Sequence, residues 1–383
     1  MLPLHGLRVI EFCQFAAGPY CGMVLGDMGA DVIKVEPPGT GDNLRQWPPM
    51  IGDFSALFVS LNRNKRSIAL DLKNPEDRDV ARQLCLSADV VLENFRPGTM
   101  AKFGLDFASL KDESPDLIYC SVSAYGQDGP RATEGGFDLT LQAIAGVMSV
   151  TGEADGPPAK CGVPIADFCT ALHAAFAIAA VLHKVDRGEG GEHIDISMMG
   201  ATLGVAALQT HAYFGSGENP GCMGSAHHRN APYQAFRATD GYFAMAAGND
   251  RLWRSVCEIV GRMDLFEDPR FRRVADRSDN QAVLAELLEA EFASFSVADL
   301  LAACVARGVP CAPINDYGHA LEDPQVAHME WVEDIDLPGG GKTRTFIAPL
   351  RLSGKKVGVR LRPPALGENG AEILKELERG DAD

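Results

Sequence analysis

Basic residues are scarce in this chain. Its 35 Lys and Arg stand against 52 Asp and Glu, a net charge of −17. That balance excludes nucleic acid and an anionic membrane surface as general partners, and any bound anion must be met by a local basic cluster. Cys-x-x-Cys pairs are absent. The ten cysteines are scattered, and several sit in apolar runs such as Ile118-Tyr119-Cys120-Ser121-Val122. They read as small buried hydrophobes of a cytoplasmic protein, not as a disulfide framework. There is no His-Glu-x-x-His, no P-loop and no Cys/His cluster of metal spacing, so no metal is expected. The nine histidines are dispersed apart from His227-His228, and adjacent residues are poor co-ligands on a regular element. The N-terminal Met1 to Arg8 carries no long apolar segment, which predicts no signal peptide. The longest apolar run, Ala171 to Leu182, is too short for a membrane span and predicts a core helix. No internal repeat or low-complexity segment is present.

What the chain has is apolar content of 46% over 383 residues. That is ample for a large core, and predicts two domains or one large domain with an excursion. Apolar runs alternate with amphipathic stretches in the first half. Leu7 to Phe12, Asp31 to Glu36, Arg66 to Leu72, Asp89 to Phe95 and Leu117 to Ser123 predict strands. Asn74-Pro75 predicts a helix start, with Asn as cap and Pro in the first turn. The fold class that follows is α/β, an open and mostly parallel Rossmann-like sheet covered on both faces. Residues 1–200 form the first part of a large domain and 201–229 a linker, with a single helix from Ala201 to Phe214. Residues 230–325 form a smaller α+β domain, with a strand over Gly241 to Ala247 and a helix from Val297 to Arg307. Residues 326–383 return to the large domain, with a strand over Phe346 to Leu352.

Ligands of such sheets bind beyond the carboxyl ends of the strands, where Gln14, Asn94, Phe95 and Tyr125 fall. The turn Gln14-Phe15-Ala16-Ala17-Gly18-Pro19 lets a ligand approach backbone N–H groups and a helix N-terminus. It is not the Gly-x-Gly-x-x-Gly of a dinucleotide fold, although Glu36 ends the second strand where such a fold places its ribose acid. Arg63, Lys65 and Arg66, with Lys73, Arg96 and Lys102, form a basic set near strand ends that fits a phosphate-rich ligand. In Gly162 to Thr170 a strand-like run leads into a helix of small apolar residues that should be buried all round. Asp167 falls in its first turn, stabilised as an anion by the helix end and held as rigidly as a nucleophile must be. An ordinary capping aspartate fits the same pattern. Asp138 is a second acid at a helix start.

These residues carry a resemblance. Leu7-Arg8-Val9-Ile10-Glu11 with Ala17-Gly18-Pro19, Gly29 to Glu36, Asn64 to Lys73, Glu93-Asn94-Phe95-Arg96-Pro97-Gly98, Ser123-Ala124-Tyr125-Gly126, the Asp167 stretch and Pro364 to Glu368 together resemble the family III CoA-transferases. That group includes α-methylacyl-CoA racemase as a divergent branch. The resemblance implies Asp167 as nucleophile, with Asp138 and Gln14 beside the thioester. It implies CoA contacts from Phe15, Ala16 and Ala17, from Leu70, Asp71, Leu72 and Lys73, from Asn94, Phe95, Arg96 and Lys102, and from Gly135, Gly136 and Phe137. It also implies an interlocked homodimer, with CoA and acyl-CoA as substrates and no permanently bound cofactor. Phe137 stands where the racemase branch has a His, and Phe cannot move a proton. In place of the glycine-run loop of formyl-CoA transferase stands Gly224 to Tyr233. There His227, His228 and Arg229 could take the second carboxylate of a dicarboxylate. The expected reaction moves CoA from an acyl-CoA to a small carboxylic acid, with a racemase-like isomerase and a nucleotide-binding module without chemistry as alternatives.

Overall fold

The apolar runs become the strands of one six-stranded sheet in the computed structural model, which describes residues 1–380. They are β1 (Arg8–Phe12), β2 (Asp31–Glu36), β3 (Lys65–Ala69), β4 (Val90–Glu93), β5 (Ile118–Ser123) and β6 (His193–Ser197). Their spatial order is β3-β2-β1-β4-β5-β6, and every neighbouring pair is parallel. This is the doubly wound order, and its direction reverses between β1 and β4, where such folds open a crevice. β6 is an addition to the sequence expectation. His-Ile-Asp-Ile-Ser alternates polar with apolar and lies at the sheet edge, half-exposed, so it offers no continuous apolar run.

Period-2 alternation sends side chains to two cores. Val9, Val90, Leu92, Ile118 and Cys120 pack with Cys21, Leu25, Ala171, Ala174 and Ile178. Ile10, Ile33, Val91 and Tyr119 pack with Ala81, Leu84 and Ile373 on the other face. Each Val, Leu or Ile among them contributes about 1.5–3 kcal/mol on burial. The helices are α1 (Ala17–Asp27), α2 (Pro75–Leu86), α3 (Asp138–Ile144), α4 (Ile165–Val185), α5 (Met198–Val205) and α6 (Ala207–Ser216). α2 starts as predicted, with the Asn74 side chain accepting from Glu76 N at 2.9 Å.

Three expectations are corrected. Residues 162–164 are loop, and α4 starts at Ile165 and runs unbroken for 21 residues. By length and composition alone it could cross a membrane. Here one face, with Ala166, Ala171, Ala174 and Ile178, packs into the core, while Leu172 and Phe176 on the other face are 51% and 75% exposed. It is therefore not buried all round. The single linker helix is two, α5 and α6, separated at Ala206. The strand over 346–352 is also two. Lys342–Phe346 pairs with Val332–Asp336 and Arg351–Leu352 with Lys355–Lys356, and Pro349 lies between them.

Two compact units divide the chain. The first comprises Met1–Val147, Lys160–Glu218 and the residues from Pro324 onward; the second comprises Met148–Ala159 and Asn219–Asp323. In the second, Cys311–Pro313, Tyr242–Ala246 and Tyr233–Arg237 form an antiparallel sheet. It is covered by a core of Phe236, Phe243, Trp253, Leu288 and Phe292. The wholly buried Arg277 donates to the carbonyls of Ala231, Gly248 and Phe271 and to Asp250.

In the first unit, β1 to β3 share a buried ionic network. Glu11 and Lys34 are register partners, and both are 0% exposed. Lys34 Nζ lies 2.9 Å from Glu11 Oε1, 2.9 Å from Asp42 Oδ2 and 2.6 Å from Cys13 O. Lys65 Nζ lies 2.7 Å from Glu11 Oε2, 2.8 Å from Pro19 O and 3.0 Å from Asn62 Oδ1. Each lysine makes two hydrogen bonds, Lys34 to Glu11 Oε1 and Cys13 O and Lys65 to Pro19 O and Asn62 Oδ1, and adds an ion pair, with Asp42 and Glu11 respectively. Gly22 of α1 leaves the space that Glu11 fills, because a Cβ there would overlap its carboxylate. Glu11 is pinned by two cations and cannot yield. Gly22→Ala should therefore lower the unfolding free energy by about 2–3 kcal/mol in urea denaturation.

Candidate active site

The carboxyl ends of β1 and β4 are joined by a reciprocal pair of hydrogen bonds. Gln14 N donates to Asn94 Oδ1 at 2.9 Å, and Asn94 Nδ2 donates to Gln14 O at 2.8 Å. Phe15 follows with φ of +64°, a left-handed conformation unusual for an aromatic residue. Its N–H donates to Asp42 Oδ1 at 3.2 Å. Gln14 Oε1 accepts from Asn43 Nδ2 at 2.6 Å. Beyond this turn α1 begins without a side-chain cap. The Gln14 and Phe15 N–H groups are thus committed internally, leaving those of Ala16, Ala17 and Gly18 to meet a developing oxyanion or a phosphate. On β4, the buried Glu93 accepts from Phe95 N at 2.8 Å and fixes the turn that carries Asn94 to Arg96. Burial pushes the Glu93 carboxyl up to about 7.

These turns wall a cavity of about 290 Å³ at the reversal point of the sheet. Gln14, Phe15, Ala16 and Ala17 line it from β1–α1, and Asn94, Phe95, Arg96 and Pro97 from the end of β4. Val122, Ser123 and Ala124 come from β5, Glu134, Gly135, Gly136 and Phe137 from the approach to α3, Asp167 from α4 and Met198 from α5. Phe15 and Phe137 meet edge to face at 5.5 Å. A Cβ on Gly136 would lie 2.5 Å from Leu141 and 2.9 Å from Ala124, so only glycine lets this segment pack so closely.

Asp167 does not cap its helix; Pro164 holds the N-cap position. Its carboxyl is half-buried and accepts no hydrogen bond among the described residues. Asp138 takes the helix end instead, accepting from Ala166 N at 3.0 Å and from Gln142 Nε2 at 2.8 Å. The sequence expectation was an anion stabilised by the helix terminus. The opposite holds: burial first, and then the negative charge of Asp138, push Asp167 up to about 7. A carboxylate short of solvation and of partners is a more reactive nucleophile than a capped one.

Apart from Arg96, which lines it, the remaining candidates fall outside this cavity. Leu70 and Leu72 pack in the core, and Asp71 Oδ1 accepts from Lys73 N at 3.0 Å just past the end of β3. The side chains of Lys73, Arg96 and Lys102 are exposed and make no ion pair among the described residues. The cluster 63–66 is corrected: these cations are structural. Arg63 pairs with Asp27, Lys65 with Glu11, and Arg66 with Asp31 and Glu376. They sit at the start of β3, the wrong end of the strand for a ligand. Glu36 is likewise occupied. Burial works to raise its pKa, but Arg45, Lys34 and Ser67 hold it below the ordinary carboxylate value, and no group remains for a ribose. His227 and Arg229 line an open cavity of about 510 Å³ within the second unit, with Asn230, Tyr233 and Asn249. His228 turns to Gly221 O at 2.7 Å. Sequence reading missed Asp42 and Glu93 as supports: Asp42 acts on Phe15 and Lys34 of other elements, and nothing in the residue types shows that Glu93 binds Phe95 N two positions on. Burial raises the thiols of Cys85, Cys257 and Cys304 to about 12, which makes them inert packing groups.

A family profile described as CoA-transferase family III matches residues 4–370. This chain belongs to CoA-transferase family III. The succinate–glutarate CoA-transferase of Agrobacterium fabrum is 39% identical over 98% of this chain and 96% of its own. The succinyl-CoA:mesaconate CoA-transferase of Haloarcula hispanica is 37% identical over 98% of this chain and 97% of its own. The crystal structure of a CAIB/BAIF family protein from Brucella suis superposes with a TM-score of 0.87 at 41% identity, covering 98% of this chain and 99% of that one. The resemblance read from the motifs is borne out, and the chain is a CoA-transferase.

The Asp167 environment has a consequence for stability that does not depend on activity. Its folded pKa, about 7, lies above the ordinary aspartate value of 3.8. Between those values the unfolded chain releases the proton and the folded chain keeps it, so stability falls as pH rises through this window. Asp167→Asn removes that penalty. The variant should melt about 2–4 °C above the wild type at pH 8, with the gap closing near pH 4 in calorimetry.

Proposed function

We propose that this CoA-transferase moves CoA from an acyl-CoA to a second carboxylic acid through covalent chemistry at Asp167. The observation that carries the reading is the placement of an unpartnered carboxyl, poised near neutrality, in one cavity with the uncapped start of α1. Asp167 attacks the thioester carbonyl, the C–S bond breaks, and CoA leaves as thiolate from a mixed anhydride. The thiolate returns to the aspartyl carbonyl, breaks the anhydride, releases the first acid and leaves an aspartyl-CoA thioester. The second acid then attacks that carbonyl and expels the thiolate. The thiolate finally attacks the acyl carbonyl of the new anhydride, giving the new acyl-CoA and free Asp167. Acyl-aspartate intermediates preserve the thioester free energy, and water must be kept out while they exist.

The N–H groups of Ala16 and Ala17 are the donors left to hold the tetrahedral oxyanion. Lys73, Arg96 and Lys102, free of ion pairs among the described residues of an acidic protein, suit the phosphates of CoA. Phe137 supplies no proton, which favours transfer over racemisation. The names of the relatives point to dicarboxylate acceptors such as glutarate and mesaconate. We assign recognition of the second carboxylate to Arg229, exposed and free of ion pairs among the described residues. A homodimer accounts for the apolar surface left on the first unit. On α4 and α6, Leu172, Phe176, Leu208 and Phe214 are 51%, 75%, 71% and 75% exposed.

Asp167→Ala should cost at least about a thousandfold in transfer, while CoA affinity by calorimetry changes less than about threefold. Comparable activity in the variant would end the assignment. For the acceptor, the ratio of kcat/KM for glutarate to that for the monoacid of equal chain length should exceed one in the wild type. It should fall about tenfold or more in Arg229→Ala. An unchanged ratio removes Arg229 from recognition.

A further inference from the structure

The β1–α1 turn has an unusual support. Phe15 occupies a left-handed conformation that costs a non-glycine residue free energy, so the surroundings must hold it there. The group that takes its N–H is Asp42, which is 0% exposed and comes from a separate turn. Asp42 Oδ1 also accepts from Leu44 N at 3.0 Å, and its Oδ2 faces Lys34 Nζ at 2.9 Å. Lys34 in turn donates to Cys13 O, two residues before Phe15. Burial opposes the Lys34 charge, but Glu11 and Asp42 outweigh it and raise its pKa above the ordinary lysine value. The neighbouring Asn43 holds the Gln14 side chain. The turn is thus gripped at Cys13 O and Phe15 N from one buried ionic cluster, and at Gln14 Oε1 by the exposed, neutral Asn43.

We propose that Asp42 is a positioning residue for the transfer reaction: by bridging Lys34 and the Phe15 N–H it holds Phe15 left-handed, and so aims the next N–H groups, those of Ala16 and Ala17, at the reacting carbonyl. The proposal rests on the reading of the Asp167 cavity as the transfer site. A capping role alone would be a weaker claim, since Asp42 also caps the short turn Asn43–Gln46. Substitution with asparagine separates the two. Asparagine caps as well as aspartate does. It offers one acceptor oxygen where aspartate offers two; since Oδ1 takes both the capping Leu44 N and Phe15 N, an asparagine that keeps the cap must turn its amide N–H to Lys34 and break the bridge.

The test is steady-state kinetics with an acyl-CoA donor and a dicarboxylate acceptor, with CoA affinity by calorimetry, for Asp42→Asn, Phe15→Gly and the double variant. Asp42→Asn should lower kcat about 10–100-fold, with donor KM and CoA affinity within about threefold. Glycine adopts a positive φ without strain. In the Phe15→Gly background the same substitution should therefore cost a smaller factor. A kcat loss under about threefold overturns the proposal, and so does an equal loss in both backgrounds. Should Asp42→Asn fail to fold, thermal melts of Phe15→Gly and Phe15→Ala decide. The proposal requires the glycine variant to melt higher, and an equal or lower value overturns it. Failure of the underlying reading looks different. If Asp167→Ala keeps transfer while Asp42→Asn loses kcat, the nucleophile assignment falls and the positioning role stands.

Discussion

Two lysine ammonium groups lie in the interior beneath the start of α1, joined by the single carboxylate of Glu11. Ions taken out of water are tolerable only when paired and hydrogen-bonded, and here each lysine has a carboxylate beside it and two hydrogen bonds. Removing one partner would leave an uncompensated buried charge. The cluster therefore fixes the relative positions of β1, β2 and β3, of Pro19 at the start of α1, and of Asp42 in the turn beyond β2. The geometry of the cavity follows from that fixed frame. The end of β1 is tied to β4 through Gln14 and Asn94, and the end of β4 is tied down by Glu93.

The same low-polarity surroundings act differently on Asp167. Lys34 and Glu11 compensate one another, whereas Asp167 meets burial and the like charge of Asp138, with no compensating partner among the described residues. Structure and chemistry conflict here in a useful way. The helix N-terminus that could have stabilised Asp167 is spent on Asp138, which anchors α4 through Ala166 N. In the proposed reaction the free energy withheld from Asp167 is available to acyl transfer, since an acyl derivative of the residue carries no charge to desolvate.

Much of this was legible in the sequence where the signal is local. Val9-Ile10, Val32-Ile33 and Val90-Val91-Leu92 are continuous apolar runs, as strands buried on both faces must be, and their alternation with helices gave the parallel sheet. The Asn74-Pro75 helix start is equally local. β6 escaped because an edge strand needs only one good face. The misreading of Arg63, Lys65 and Arg66 has another cause. Charge type is visible in a sequence, but the partner is not, and Asp27, Glu11 and Glu376 lie 36, 54 and 310 positions away. Asp42 was invisible as a support for the same reason, with Phe15 27 positions away, whereas the Glu93 contact to Phe95 N is local but carries no residue-type signal. The sign of the Asp167 shift could not be read either, because position in a helix predicts stabilisation and only the fold shows that another acid has taken the helix end.

Oxygen exchange into the nucleophile tests the central claim most directly. An aspartyl anhydride formed with an acceptor carboxylate has a bridging oxygen that comes from that carboxylate. The last step leaves it on the enzyme. After a single turnover with an acceptor labelled with oxygen-18 in its carboxylate, mass spectrometry of the digested protein should show one labelled oxygen on the peptide containing Asp167. The label should be absent when the acyl-CoA donor is omitted. A turned-over enzyme with no label in that peptide, or with label on another carboxylate, would contradict the account.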